Sequence, residues 1–105
     1  MENKEFGISK QILKEIIGIL ASNGKVEKAI LYGSRVKGNF SEGSDIDITI
    51  IAPAMNFSEY LTILAKIDEL DIPQKIDLTK YELLDENVRE HIRRVGKEIY
   101  PGEDE

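Results

Sequence analysis

Two short segments of this chain alternate acidic or hydroxyl side chains with aliphatic ones. Residues 45–51 read Asp-Ile-Asp-Ile-Thr-Ile-Ile, and residues 75–79 read Lys-Ile-Asp-Leu-Thr. A period of two, combined with many β-branched residues, is typical of strands whose two faces differ. We therefore predict two strands that each carry an acidic face opposite an aliphatic face.

The two acidic faces would bring three carboxylates together. Asp45 and Asp47 share one face of the first strand, and Asp77 occupies the corresponding face of the second. If the strands are neighbours, two carboxylates about 4 Å apart repel by roughly 4 kcal/mol at an effective dielectric near 20. Such a cluster needs a proton or a cation, and oxygen ligands without cysteine favour Mg²⁺, or Mn²⁺, over zinc. The alternative is that these carboxylates only decorate the solvent face of a half-buried sheet.

A Gly-Ser pair precedes the first acidic strand by ten residues. Gly33 and Ser34 follow an apolar run at residues 28–32, so the glycine falls where a strand would turn into a helix. Helix starts leave backbone N–H groups unpaired, and these groups bind anions. Gly33 permits close approach of a ligand, and the Ser34 hydroxyl can contact a phosphate or cap the helix. Gly-Ser alone also fits an ordinary capped turn, but beside the acidic strands it indicates a site for a nucleotide and a divalent metal.

The remaining pattern predicts a small α/β (α+β) arrangement. Because the acidic strand faces are polar, we expect helices mainly on the opposite, isoleucine-rich face, in two layers. We predict one domain over residues 1–105, with a core at about 9–100 and an acidic tail at 101–105. We predict helices over residues 9–23, 58–70 and 85–95, and a short helix after Gly33. Gly24 would end the first of these helices and Gly96 the last. The further strands cover 28–32 and 97–100, and a loop covers 38–44.

Composition limits the class of protein. A chain of 105 residues that is 41% hydrophobic supports one core. Its formal charge of −6 argues against direct nucleic-acid binding, since that affinity depends largely on Lys and Arg neutralising phosphates. The sequence has no cysteine and no apolar run that would span a membrane, and we expect no signal peptide. We therefore expect a cytoplasmic protein without membrane association.

These motifs together resemble the DNA polymerase beta-type nucleotidyltransferase superfamily in its minimal single-domain form. The resemblance covers about residues 10–100 and rests on Gly-Ser-Arg-Val-Lys-Gly at 33–38, Ser-Asp-Ile-Asp-Ile at 44–48 and Ile-Asp-Leu at 76–78. It implies a mixed sheet in a nucleotidyltransferase fold, with ATP as a substrate and two Mg²⁺ ions.

The resemblance also implies residue roles. Gly33 and Ser34 would hold the triphosphate, Asp45 and Asp47 would bind both metal ions, and Asp77 would complete the site and could accept the proton of the acceptor hydroxyl. A separate expectation concerns the basic pair after the Gly-Ser turn. Arg35 and Lys37 are electrostatic helpers for the nucleotide, or they simply stay solvated. Many relatives carry arginine where this chain has Lys37, a change that keeps the charge but loses the bidentate fork.

The acceptor is implied by analogy alone. Minimal nucleotidyltransferases of this kind are similar to those encoded beside a helical HEPN-type protein in toxin–antitoxin modules, where AMP passes from ATP to a tyrosine of the partner. We therefore expect an antitoxin that acts by AMPylation, with hetero-oligomer and homodimer both open. One alternative is a catalytic subunit that adenylylates a small hydroxylated molecule such as an aminoglycoside. Another is a non-catalytic antitoxin that acts by binding.

Overall fold

The computed structural model of this chain describes residues 4–41 and 43–101. Residues 102–105 of the predicted acidic tail therefore lie outside the described part. The strands are β1 (Lys4–Glu5), β2 (Ile8–Ser9), β3 (Lys28–Tyr32), β4 (Ile46–Ile51), β5 (Ile76–Lys80) and β6 (Lys97–Tyr100); the helices are α1 (Lys10–Ala21), α2 (Ser34–Lys37), α3 (Phe57–Asp68) and α4 (Glu86–Val95), with a 3-10 turn at Tyr81–Leu83.

Four strands form a mixed sheet in the order β5-β4-β3-β6. β3 pairs antiparallel with both β4 and β6, whereas β4 pairs parallel with β5. The parallel pair is joined through α3, because parallel neighbours need a crossover connection. The predicted mixed sheet and α/β class are confirmed.

The aliphatic face of the sheet carries the main core. α1 contributes three buried side chains spaced three and four residues apart, as expected for one helix face, and α3 contributes a second such set. These helix residues pack on alternate residues of the strands. The buried cluster includes Leu13, Ile16, Leu20, Ala29, Leu31, Ile46, Ile48, Ile50, Tyr60, Ile63, Ile67 and Leu78.

α4 lies on the other face of the sheet, which the sequence predicted to be mostly uncovered. Its residue Ile92 is buried, and a Cβ added at Gly96 would collide with Cγ2 of Ile30, whose side chain points away from the main core. Gly96 does follow the last helical residue, as predicted, but its φ of −67° is available to any residue. The glycine is needed because the end of α4 packs tightly against β3.

Polar side chains cap three of the helices at their first turn. Ser9 Oγ accepts from the backbone N–H of Ile12 at 3.1 Å, and Asn56 and Glu59 form a reciprocal capping box. Asp85 accepts from the backbone of α4 in the same way. Each cap satisfies an N–H group that has no partner within the helix, which explains why the predicted helix starts lie within two residues of the observed ones.

Two local predictions were incomplete. α1 ends at Ala21, where Ser22 caps its C-terminus, so Gly24 is not the C-terminal stop. The short antiparallel hairpin of β1 and β2 was not predicted. Its two-residue turn, Phe6-Gly7, has φ values of 56° and 73°, and positive φ at both positions is what a tight hairpin of this kind requires. In the described ranges, no helix combines the length and apolar character needed to cross a membrane.

Candidate active site

The parallel pairing of two strands places two carboxylates side by side. Asp47 of β4 and Asp77 of β5 are register partners, and neighbouring strands lie about 4.8 Å apart. Both side chains are on the face opposite the main core, where Asp47 is half-buried and Asp77 is exposed. Burial raises the pKa of Asp47, and the negative charges of Asp77 and Asp45 raise this pKa further. Asp47 is therefore the centre of an acidic cluster.

Asp45 occupies a different position from the one predicted. β4 begins at Ile46, so Asp45 is exposed on the segment that leads into the strand rather than on the strand itself. Its charge still raises the pKa of Asp47. Among residues 4–41 and 43–101, no three acidic, histidine or cysteine side chains are placed to hold one metal ion.

Gly33 brings the Gly-Ser turn against the acidic cluster. A Cβ added at this residue would collide with Oδ2 of Asp47, and the backbone has a φ of 86° and a ψ of −156°, a region that only glycine adopts readily. The Gly33 carbonyl accepts from the N–H groups of Val36 and Lys37, at 3.2 Å each. Ser34, the next residue, begins α2. Because Gly33 lies against Asp47 and Asp47 is paired with Asp77, the Gly-Ser turn lies close to both aspartates.

Arg35 and Lys37 differ in their surroundings. Lys37 is exposed, whereas only 2% of Arg35 is exposed. The Arg35 guanidinium donates to the carbonyls of Phe6 and Ser44, both at 2.9 Å. The alternative of a solvated basic pair is therefore wrong for Arg35, whose contacts with described residues include two main-chain carbonyls and the Phe40 ring.

The polymerase beta nucleotidyltransferase family matches residues 14–105 of this chain. The chain belongs to this nucleotidyltransferase family.

Relatives and solved structures agree with this assignment. Over 96 residues the chain is 29% identical to a probable protein adenylyltransferase, MntA, of Haemophilus influenzae, covering 90% of this chain and 78% of the relative. Over 72 residues it is 36% identical to a putative protein adenylyltransferase of Methanocaldococcus jannaschii, covering 66% of this chain and 71% of the relative.

Two crystal structures of toxin–antitoxin proteins share its fold. One, a toxin–antitoxin with AMP-PNP, has a TM-score of 0.68 at 24% identity and covers 84% of this chain and 72% of that one. The other, of the toxin–antitoxin MntA-HepT, has a TM-score of 0.62 at 21% identity and covers 87% and 72%. At these identities the likeness concerns the fold of the nucleotidyltransferase.

Two tyrosines of this nucleotidyltransferase lie near the acidic residues, Tyr32 on the same face of the sheet and Tyr60 in the main core on the other face. Tyr32 is the register partner of Asp47, and its hydroxyl reaches across β4 to lie 3.5 Å from Oγ1 of Thr79. Burial raises the pKa of Tyr32 against the lowering effect of this hydrogen bond, and the charges of Asp47 and Asp77 add to the rise. Tyr32 therefore forms one wall of the site.

Sequence reasoning missed Tyr60. This α3 residue donates from its hydroxyl to the Leu78 carbonyl at 3.1 Å, which links the helix to the strand that carries Asp77. Burial raises the pKa of Tyr60, as do the charges of Asp77 and Tyr32. The available signal was its position three residues before Ile63 on the apolar helix face, where a buried tyrosine needs a hydrogen-bond partner.

The oxygen atoms around the acidic cluster determine which metal ions the nucleotidyltransferase site can bind. The acidic cluster offers carboxylates, and Ser34 and Thr79 offer hydroxyl groups nearby. Carboxylate and hydroxyl oxygens are hard ligands of the kind that Mg²⁺ and Mn²⁺ prefer. The donor set thus fits a hard divalent cation and not a thiolate-bound metal.

Proposed function

We propose that this nucleotidyltransferase transfers AMP from ATP to a tyrosine hydroxyl of a HEPN-type helical partner encoded nearby, and so acts as an antitoxin. The observation that carries this proposal is the register pairing of Asp47 with Asp77 directly against the Gly33 turn. Support for a protein acceptor comes from the relatives, two of which bear the name protein adenylyltransferase. Support for a toxin partner comes from the shared fold with the MntA-HepT complex.

Asp45, Asp47 and Asp77 would hold the metal, in our proposal as two Mg²⁺ ions that Mn²⁺ can replace. The raised pKa of Asp47 supports this assignment, because a neighbouring cation would offset both the burial of this carboxylate and the repulsion from Asp77 and Asp45. Asp45 and Asp77 are exposed, so their side chains can rotate to bind alongside Asp47. Bound cations would neutralise the triphosphate and lower the pKa of the acceptor hydroxyl.

The nucleotide would enter over the Gly-Ser turn. Gly33 lets the turn lie against Asp47, where it would hold the triphosphate, and the Ser34 hydroxyl can donate to a phosphate oxygen. Lys37 is exposed one turn further along the chain and can add a positive charge near the triphosphate. Holding the reactants in line in this way is a large part of catalysis in phosphoryl transfer.

The transfer step can be written with its atoms balanced. The tyrosine oxygen of the partner forms a bond to the α-phosphorus of ATP, and the bond from that phosphorus to the oxygen bridging to the β-phosphate breaks. Pyrophosphate leaves with the electron pair. Asp77, exposed at the rim of the cluster, accepts the proton of the tyrosine hydroxyl.

Because the reaction consumes ATP, we place the protein in the cytoplasm, where both ATP and the partner would be present.

The decisive experiment incubates the chain with Mg²⁺, labelled ATP and the helical neighbour. The expected result is a mass increase of one AMP on a tyrosine of the neighbour, which is lost with EDTA and in Asp45→Asn, Asp47→Asn and Asp77→Asn. Asp71→Asn is the matched control, because Asp71 is an exposed aspartate outside the cluster, and it should retain transfer.

Two results would overturn the proposal. In the first, no adduct forms and the aspartate variants still neutralise the toxin as well as the parent does, which assigns the protein to binding alone. In the second, AMP appears on a small hydroxylated molecule and never on the neighbour, which changes the acceptor class.

A further inference from the structure

We propose that Arg35 is a positioning residue that joins the N-terminal hairpin to the segment entering β4 and thereby fixes Asp45. The hairpin comprises β1, β2 and their turn. This inference rests on the proposed function only in giving Asp45 a role in metal binding. The physical coupling between hairpin and segment stands on the contacts of Arg35 alone.

Within the described part of the chain, Arg35 donates hydrogen bonds to two different segments. Nη1 donates to the Phe6 carbonyl in the hairpin turn, and Nη2 donates to the Ser44 carbonyl, each at 2.9 Å. The Ser44 carbonyl belongs to the same planar peptide unit as the N–H of Asp45. Arg35 therefore orients the peptide plane from which the Asp45 side chain projects.

The hairpin turn fits closely around Arg35. A Cβ added at Gly7 would collide with the Phe40 ring and would lie 2.8 Å from Nη1 of Arg35. The Phe40 ring packs against the guanidinium, with its centroid 4.9 Å from Cζ. Phe6 has a positive φ, which is unfavourable for a bulky residue, and the bond from Arg35 to its carbonyl helps hold this conformation.

The segment before Asp45 also forms a turn of its own, which is closed by hydrogen bonds between Ser41 and Ser44. The N–H of Ser44 donates to the Ser41 carbonyl at 3.1 Å, and the N–H of Ser41 donates to Oγ of Ser44 at 2.9 Å. Ser44 thus receives the Arg35 bond on its carbonyl while its other polar groups close the turn. Loss of the Arg35 bond should loosen this turn and Asp45 together.

The coupling reaches outside the part of the chain that matches the family. The match begins at residue 14, whereas the hairpin lies before it, at residues 4–9. The hairpin, which carries none of the motif residues, would therefore support the segment that leads into β4 and carries Asp45. The hairpin is predicted to matter for activity although it contributes no ligand.

Lysine and glutamine substitutions separate positioning from a direct charge effect. If Arg35 acted on the nucleotide by its charge, Arg35→Lys would retain function and Arg35→Gln would lose it. A lysine cannot donate to two carbonyls in the fixed fork geometry of a guanidinium. The positioning role therefore predicts that both variants lose function to a similar degree.

The first readout needs neither nucleotide nor partner. Hydrogen exchange of single amides, followed by NMR in the full chain, should show about a tenfold or greater rise at Ser44 in Arg35→Lys, Arg35→Gln and Gly7→Ala, while Ile48 and Leu78 in the sheet stay protected, as expected for local opening. Gly18→Ala and Arg94→Lys are the controls. Gly18 has open space around a would-be Cβ, and Arg94 is exposed.

The second readout is the transfer reaction. All three variants should lower kcat for AMP transfer with little change in KM for ATP, and Gly7→Ala combined with Arg35→Lys should cost little more than either alone. The inference fails if Ser44 stays protected in Gly7→Ala, or if Arg35→Lys behaves as the parent. If the parent itself transfers no AMP, the proposed function fails while the exchange result still decides the coupling.

Discussion

Asp47 and Asp77 are register partners in the parallel strands β4 and β5. Because glycine has no Cβ, Gly33 leaves room for the Asp47 carboxylate. Three segments that are far apart in the chain thus meet at Asp47. Burial disfavours the ionised form of Asp47, and the nearby negative charges of Asp77 and Asp45 disfavour it further. This arrangement has consequences for stability, ligand binding and the effect of substitutions.

Without divalent metal, Asp47 should destabilise the fold as pH rises. The ordinary pKa of this carboxyl is 3.8, and the folded value is higher, so the folded state holds the proton more tightly than the unfolded state does. The free energy of unfolding should therefore fall as pH rises from about 3.8 through the raised folded pKa. Asp47→Asn removes this fall and should be the more stable chain at neutral pH, by less than about 1 kcal/mol because solvent screens the site.

This dependence can be measured by urea unfolding at several pH values in EDTA. Asp71→Asn, at an exposed loop position, provides the comparison. A parent chain that gains stability relative to Asp47→Asn over this pH range would contradict the raised pKa of Asp47.

Gly33→Ala should damage the site and the fold at once. The new Cβ overlaps Oδ2 of Asp47, and alanine at this φ and ψ costs about 1–3 kcal/mol. We expect a lower free energy of unfolding and a loss of AMP transfer of at least about a hundredfold, since displacement of a reacting group by about 1 Å has that effect.

Gly38→Ala is the matched control for this substitution. Gly38 has a φ of 89°, but nothing lies within 4 Å of a would-be Cβ. It should show the backbone cost without the loss of transfer. Equal losses of activity in the two variants would show that the collision with Asp47 is not the cause.

Mg²⁺ and ATP together should stabilise the folded chain. A ligand that binds only the folded state adds about 2.7 kcal/mol at a concentration a hundred times its Kd. The melting temperature should rise with Mg²⁺ and ATP, stay unchanged with ATP and EDTA, and stay unchanged in Asp47→Asn. An equal rise with ATP in the absence of any cation would contradict a metal-bridged nucleotide.

The α3 cap should affect stability and leave the chemistry intact. Asn56→Ala removes the acceptor for the Glu59 N–H, which lies 2.8 Å from Oδ1, and should cost about 1 kcal/mol in thermal or urea unfolding. Asn56→Asp retains a capping oxygen and should restore most of this loss. AMP transfer measured well below the melting temperature should match the parent, because Asn56 lies outside the acidic cluster.

The alternating strands and their capped helices could be predicted because the signals are local. β4 and β5 carry their two faces in the sequence, and Ser9 and Asp85 mark helix starts directly. The predicted strand began one residue too early, at Asp45, because the start of a strand depends on where pairing with its neighbour begins. That boundary depends on Lys75, whose carbonyl accepts from the N–H of Ile46.

The surroundings of Arg35 could not be predicted from local pattern. A helix of one turn has no periodicity that reveals a buried face, and an arginine is rarely buried. Among the described residues, the two carbonyls to which it donates lie 29 residues earlier and nine residues later in the chain. The hairpin that supplies one of them was missed because phenylalanine is an unusual residue at positive φ.

The position of β5 at the margin of the sheet has a consequence for heat inactivation. In the described part of the chain this strand is hydrogen-bonded to β4 on one side only, and margin strands fray before central ones. Fraying would carry Asp77 away while the cluster of isoleucines around β4 stays packed. Catalysis should therefore fade on warming at temperatures where circular dichroism still reports an intact fold.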